Sequence, residues 1–159
     1  MDFLLIVTGI LLGFSLAFFS YREHPLPHDE ILSLWSFSSA LTVLIFLWGL
    51  WNGYWDLVAP TFGRFGTLFI SWVIAYPFYH ISFICLLRKS WLWNIVMAVA
   101  FAILSTFMEY ISVYVVFIGV YSNGWHIGLT FWSYFIPLLL MWGYYKFLVF
   151  LKIRSFYCD

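Results

Sequence analysis

Glu109 is the acidic residue of this 159-residue chain that lies within a long apolar stretch, whereas the other charged residues lie at or near the ends of such stretches. Counting 1.5 Å per residue back from Ile118 places Glu109 roughly 13 Å inside the stretch. A carboxylate at that depth costs about 2.5–3.5 kcal/mol on insertion scales, so it should face other helices rather than lipid. It could relay a proton, bind a cation or anchor a substrate, or it could serve only as a polar clasp between helices.

Four polar side chains at a similar predicted depth could partner Glu109. Ser39 and Thr42 belong to the second apolar stretch, and Ser133 and Tyr134 belong to the fifth. A protonated Glu109 could also donate a hydrogen bond to a backbone carbonyl that a proline leaves without its N–H partner. We therefore predict an intramembrane polar site around Glu109, with these four residues as its candidate members.

A second candidate site would lie at the outer mouth of the bundle. Asp56, Arg64 and His126 occur in predicted loops that are rich in Trp and Tyr. Such a rim could bind a lipid headgroup or a small polar ligand. An aromatic belt at the membrane interface explains most of these residues without any ligand. Asp56 has Arg64 as its simplest partner.

The histidines do not indicate a metal site. His80 lies in the third apolar stretch, and we interpret it as a histidine that is either hydrogen-bonded in the core or extended toward the membrane interface. The segment 23–30 holds two histidines and three carboxylates, which could coordinate zinc, but its prolines spread them along an extended segment. Asp29 and Glu30 suit the start of a helix, where carboxylates interact favourably with the unpaired backbone N–H groups and with the helix dipole. The sequence also contains no nucleotide-binding loop or hydrolase elbow, so we predict no metal and no cofactor, and whether the chain is an enzyme stays open.

The composition requires lipid as the solvent for most of the chain. Hydrophobic residues make up 65% and charged residues 9% of the sequence, against about 25% charged residues in ordinary soluble domains. A soluble domain of this length could not bury so much apolar surface. The net charge is zero, so there is no basic field to attract nucleic acid, and we expect no nucleic-acid partner.

The apolar stretches predict an all-α bundle of five transmembrane helices in a single integral membrane domain, 1–159. The predicted helices are 3–19, 33–51, 65–87, 92–118 and 129–151. Pro77 and Pro137 should kink the third and fifth of them. The first has no basic segment ahead of it and no small-residue cleavage motif, so we interpret it as a retained helix rather than a signal peptide.

The basic residues predict the orientation of the bundle, because they concentrate on the cytoplasmic side of membrane proteins. With five helices and the N-terminus outside, Arg64 falls on the outer side. Six basic residues fall on the inner side, which are Arg22, Arg88, Lys89, Lys146, Lys152 and Arg154. The sequence therefore predicts a multi-pass protein of the cell membrane with its C-terminus in the cytoplasm.

A short motif occurs twice and raises the question of an internal repeat. Asn52-Gly53 follows the second predicted helix, and Asn123-Gly124 follows the fourth. The third and fifth helices then each carry a Trp five residues before a Pro. Two duplicated hairpins would give this pattern, and so would the high frequency of Trp and Gly at membrane interfaces.

The part of the chain from about Phe65 to Phe150 resembles a group of small multi-spanning membrane proteins of spore-forming Gram-positive bacteria. The likeness rests on scattered residues, which are Tyr76-Pro77, Glu109, Tyr121, Trp125 and Tyr144-Tyr145-Lys146. The resemblance implies a membrane-spanning helical fold, and it implies no activity, because none is known for the group.

Two classes of function fit these observations. In the first, the chain is a non-catalytic accessory or assembly component of a membrane complex, in contact with the bilayer and with either a partner protein or further copies of itself. In the second, the bundle binds, transports or modifies a lipid or a small molecule, with Glu109 as the central group. Short loops favour the first class, and the depth of Glu109 favours the second.

Overall fold

The computed structural model describes residues 11, 13–15, 18–19, 21–22, 26–57, 70–115 and 119–156. Most of the first predicted helix, 3–19, therefore lies outside the described residues. Those of residues 11–22 that are described are helical and together are called α1. Phe14 of α1 contacts Phe78 edge to face at 5.7 Å between ring centroids, so α1 packs against the third helix of the fold.

Helix α2 is His28–Trp51, which starts five residues earlier than predicted. Pro27 precedes it with φ −58°, a value that the pyrrolidine ring fixes and that suits the entry to a helix. The Pro27 carbonyl accepts a hydrogen bond from the amide of Ile31 at 3.0 Å. The polar first turn is therefore part of the helix, although its residues lie outside the apolar stretch that hydropathy identifies.

Helix α3 is Tyr76–Cys85, and a π-helical turn, Ile70–Ala75, leads into it. Pro77 lies within the first two positions of α3, where its missing N–H leaves no gap in an α-helical ladder. The predicted third helix, 65–87, is thus two helical segments that meet at this proline. Residues 65–69 lie outside the described part of the chain.

Helix α4 is Trp91–Tyr110, and a second π-helical turn, Ile111–Val115, continues it. The Ser90 side chain caps its start by accepting a hydrogen bond from the Trp93 amide at 3.3 Å. The predicted fourth helix, 92–118, therefore changes its hydrogen-bond pattern directly after Glu109 and Tyr110. Such π-helical turns inside helices occur frequently at functional sites.

Helix α5 is Ile127–Phe156 and includes Pro137 without a break in helical structure. It begins and ends beyond the predicted bounds, 129–151. His126 directly precedes α5, and its carbonyl accepts hydrogen bonds from the amides of Leu129 and Thr130 in the first turn, at 2.9 and 3.2 Å.

Two short strands join the loop after α2 to the segment before α5. Strand β1, Trp55–Leu57, pairs antiparallel with β2, Gly119–Tyr121, with Trp55 opposite Tyr121. The amide of Ser122 extends the pairing by donating to the Tyr54 carbonyl at 2.8 Å. The sequence analysis predicted loops in both segments, so this ribbon is an addition to the predicted helical fold.

The described helices pack around one apolar core. Its fully buried side chains come from all four of the helices α2 to α5, and they include Leu34, Phe83, Ala98, Leu138 and Met141. Helices α4 and α5 share the most extensive contact, and α2 packs on both α3 and α5. The fold is therefore a helical bundle in its described part.

Three of the described helices are long and apolar enough to cross a membrane. They are His28–Trp51, Trp91–Tyr110 and the part of α5 from Ile127 to Leu151. The stretch Val73–Cys85 is apolar but shorter. These lengths support the coarse prediction of a helical membrane protein.

Candidate intramembrane polar site

The Glu109 carboxyl group accepts one hydrogen bond at each of its oxygens. The Tyr121 hydroxyl donates to Oε1 at 2.6 Å, and the Tyr134 hydroxyl donates to Oε2. The depth argument identified Tyr134 as a partner, and the structure places it there. Both acceptor atoms of this costly group are thus occupied by side chains of the same protein, which is what a carboxyl group in an apolar setting requires.

Each of the two tyrosines is itself held by a further hydroxyl group. The Tyr134 and Tyr76 hydroxyl oxygens lie 2.7 Å apart, and the Tyr121 hydroxyl lies 3.0 Å from Thr130 Oγ1. Trp125 Nε1 then donates to Thr130 Oγ1 at 3.0 Å. An indole N–H can only donate, so Thr130 Oγ1 must accept the bond from Trp125. The Thr130 hydroxyl can then donate its own hydrogen bond to the Tyr121 hydroxyl oxygen. We call Glu109 and these five partners the Glu109 network.

Four elements of the fold hold the network together. Glu109 is in the last turn of α4, and Tyr76 is the first residue of α3. Thr130 and Tyr134 are one turn apart on α5, so they lie on the same helix face. Tyr121 is the last residue of β2 and lies opposite Trp55. The ribbon therefore positions one of the two phenols that bind the carboxyl group.

Tyr121 lies outside the helices that could cross a membrane, and its environment raises its pKa above the ordinary tyrosine value. Burial is the main cause, and the nearby Glu109 carboxyl adds to it. Both effects oppose ionisation of the phenol. Tyr121 is therefore kept protonated and remains a hydrogen-bond donor to Glu109.

The other predicted partners of Glu109 are not part of the network. Thr42 Oγ1 donates to the Ser38 carbonyl at 2.8 Å, and Ser133 Oγ donates to the Thr130 carbonyl at 2.8 Å. Ser39 Oγ is buried and has no hydrogen-bond partner within the described part of the chain. Hydroxyl groups in helices commonly bond to a carbonyl of the preceding turn. Similar depth was thus a correct guide for Tyr134 but not for these three residues.

Sequence reasoning missed Tyr76, Tyr121, Thr130 and Trp125 as partners of Glu109. Tyr121 and Trp125 were interpreted as residues of an interfacial aromatic belt. A signal was nevertheless present, because Tyr76, Tyr121 and Trp125 are among the residues that carry the resemblance described above.

Of the three residues of the predicted outer rim, the side chain of His126 alone lies within the described part of the structure. His126 Nδ1 accepts a hydrogen bond from the Gly128 amide at 3.2 Å and so caps the start of α5. The backbone of Asp56 pairs with Val120 in the ribbon, and Arg64 lies outside the described residues. Within the described segments no three His, Cys, Asp or Glu side chains are grouped as metal ligands.

A second buried polar contact joins α2 to α3. Ser38 Oγ and His80 Nδ1 lie 2.7 Å apart, and these side chains are 0% and 3% exposed. The contact agrees with the interpretation of His80 as a core histidine. It is separate from the predicted set of Glu109 partners, because Ser38 was not among them.

The fold and the site together define a helical protein with at least three helices that could cross a membrane and a hydrogen-bonded carboxyl group near the end of one of them. Comparisons with protein-family models, with curated proteins and with solved structures found no match to this chain.

Proposed function

We propose that the chain is a multi-pass protein of the cell membrane with five transmembrane helices, an outer N-terminus and a cytoplasmic C-terminus. Three helices of sufficient length and apolarity support this arrangement, as does the excess of basic residues on one predicted side. A reporter fused after α2 or after α4 would be expected on the outer side, and one fused after α3 or after α5 on the inner side.

Within that membrane, we propose that the chain is a non-catalytic accessory or assembly component of a membrane complex. The observation that carries the proposal is the occupation of both Glu109 oxygens by Tyr121 and Tyr134. A carboxyl group with both oxygens occupied in this way acts as a clasp between elements, and it offers less to a ligand than an open carboxylate. The partner would be another membrane protein or a second copy of the chain.

Native mass spectrometry of the protein extracted gently from its own membranes tests this proposal. We expect a stoichiometric partner protein or a defined homo-oligomer. A lone protomer that retains a defined small molecule in wild type but not in Glu109→Gln would contradict the accessory function.

The alternative is a bundle that binds, transports or modifies a lipid or small molecule at Glu109. One observation favours it, namely that the Glu109, Tyr76 and Tyr134 side chains are only partly buried within the chain. A ligand that competes for the phenols would then approach from the lipid side or from a partner. Spectral or mass evidence of a ligand that is lost in Glu109→Gln would favour this alternative.

We also retain the proposal that the chain is related to the small membrane proteins of spore-forming Gram-positive bacteria. It rests on the scattered sequence likeness, and four of the residues concerned, Tyr76, Glu109, Tyr121 and Trp125, belong to the Glu109 network. Retention of these four residues together in such a protein would strengthen the case.

A further inference from the structure

A basic cleft lies between the α3–α4 turn and α5, apart from the Glu109 network. Its volume is about 530 Å³, and its lining consists of Leu87, Arg88, Lys89, Tyr145 and Lys146. The volume is within the range of about 300–1,000 Å³ that small-molecule sites occupy. Three of the five lining residues are cations, so the cleft is suited to an anion.

The backbone of the cleft is held in place by a buried side chain. Asn94, which is 2% exposed, accepts a hydrogen bond from the Arg88 amide at 2.8 Å and donates one to the Arg88 carbonyl at 2.9 Å. An asparagine that satisfies both groups of one residue fixes that residue relative to the helix. Arg88 is therefore presented by a rigid turn rather than by a free loop.

The Arg88 guanidinium group is also oriented. Its Cζ lies 4.6 Å from the centroid of the Trp93 ring, a cation–π geometry. The Trp93 indole N–H in turn donates to the Leu86 carbonyl at 3.2 Å. A guanidinium group stacked on a ring keeps its N–H edge available for a planar or tetrahedral oxyanion.

The lining of the cleft carries three cations and no carboxylate. Arg88, Lys89 and Lys146 are exposed, and no Asp or Glu is among the five lining residues. Basic residues on the cytoplasmic side of membrane proteins also occur as simple topology signals. A cavity with a fixed arginine goes beyond that role, because topology requires charge but no particular geometry.

We propose that this cleft binds the phosphate of an anionic phospholipid in the adjacent membrane leaflet. The cleft lies at the ends of apolar helices, where lipid headgroups are present at high local concentration. Leu87 offers an apolar wall toward the acyl chains, and Tyr145 and Trp93 are residues that prefer the headgroup layer. Basic pockets between transmembrane helices bind headgroups of this kind.

The experiment measures lipid binding to the full-length protein in neutral detergent by native mass spectrometry. Phosphatidylglycerol and phosphatidylcholine with the same acyl chains are titrated in parallel, and inorganic phosphate is titrated alone. The variant Arg88→Gln/Lys89→Gln/Lys146→Gln is compared with Arg22→Gln. The latter removes an exposed cation that is predicted on the same side but does not line the cleft.

We expect wild-type protein to retain phosphatidylglycerol in preference to phosphatidylcholine. Each lost charge should weaken the binding of phosphatidylglycerol about fivefold, and the triple change should weaken it on the order of 100-fold. Arg22→Gln should change it less than twofold. The single variant Lys146→Gln keeps the test valid if the triple variant does not fold.

Three results would overturn the proposal. The first is equal retention of phosphatidylglycerol by wild type and the triple variant, or by wild type and Lys146→Gln if only the latter folds. The second is an equal loss in Arg22→Gln, which would indicate an unspecific effect of basic charge. The third is binding of inorganic phosphate without binding of the lipid, which would assign the cleft to a soluble anion.

Discussion

Replacing Glu109 with leucine or with glutamine separates a hydrogen-bonded clasp from a site that requires a negative charge. Glu109→Leu removes the acceptors of both the Tyr121 and Tyr134 hydroxyls. Hydrogen bonds between transmembrane helices contribute on average about 0.6 kcal/mol and at most about 1.7 kcal/mol. Loss of two such bonds should therefore lower the free energy of unfolding by about 1–3 kcal/mol.

Glu109→Gln should be tolerated because the network can reverse along one arm. The amide oxygen can still accept from Tyr121, whose proton is directed toward residue 109 by Thr130 and Trp125. The amide nitrogen can donate to the Tyr134 hydroxyl, whose proton then turns to Tyr76 at 2.7 Å. Residue 109 keeps its hydrogen bonds to both Tyr121 and Tyr134, so we expect the free energy of unfolding to fall by less than about 1 kcal/mol.

The assay is unfolding by a denaturing detergent, followed by Trp fluorescence in micelles. A control uses Tyr121→Phe/Tyr134→Phe as the background, in which Glu109→Leu should cost less than it does in wild type. If Glu109→Gln lowers the free energy of unfolding as much as Glu109→Leu does, the site requires a negative charge and the interpretation as a hydrogen-bonded clasp is wrong. If Glu109→Leu leaves the free energy of unfolding unchanged, the Glu109 network does not stabilise the fold.

Two further predictions concern the β1–β2 ribbon and its tyrosine, Tyr121. Gly53 has φ +64°, and an added Cβ would lie 2.7 Å from Asn123 Nδ2, whereas Gly124 has φ +80° with no atom within 4 Å. Gly124→Ala should lower the free energy of unfolding by about 1–2 kcal/mol because of its left-handed backbone alone. Gly53→Ala should lower it further in the same assay, because the added Cβ also meets Asn123. An equal loss in the two variants would contradict the predicted clash. Because burial and Glu109 raise the pKa of Tyr121, its contribution to stability is present below about pH 10 and is lost as the pH rises further. Tyr121→Phe should therefore make the decline in unfolding free energy above pH 10 shallower by up to about 1.4 kcal/mol per pH unit, and an unchanged slope in titrations from pH 9 to 12 would contradict this assignment.

Hydropathy predicted the long helices because their apolar stretches are much longer than any soluble core needs. It placed the start of α2 too late, since His28 and the two acids after it are polar but follow Pro27 and suit a first helical turn. It could not predict the ribbon, because a three-residue strand has too little pattern to detect and the flanking Trp and Tyr are also typical of an interface.

The candidate site was predictable in its centre and not in its periphery. Glu109 was identifiable because burial of a carboxylate in apolar surroundings needs an explanation. Tyr134 followed from similar depth along two helices. Tyr121 could not be predicted in the same way, because it lies in strand β2 and not in a helix. Its depth is set by the pairing of its backbone with Trp55.

The repeated Asn-Gly motif shows how a similar sequence can have different local structures. Asn52-Gly53 leads into strand β1, whereas Asn123-Gly124 leads into helix α5. The two turns nevertheless contact each other, since Asn123 Nδ2 donates to the Asn52 carbonyl at 3.1 Å. The motif therefore connects two loops, and the backbones that follow it do not repeat.

The split of the Glu109 network across the chain has a consequence for biosynthesis. Helices are inserted largely in the order of synthesis, and Glu109 emerges before both of its phenol partners, Tyr121 and Tyr134. While α4 is inserted alone, its carboxyl group has neither of these donors, and that state costs about 2.5–3.5 kcal/mol on insertion scales. We expect α4 to remain at the insertion machinery until α5 arrives, so that the two helices enter the bilayer as a pair. The ribbon of β1 and β2 would then close last, after α5 has joined α4.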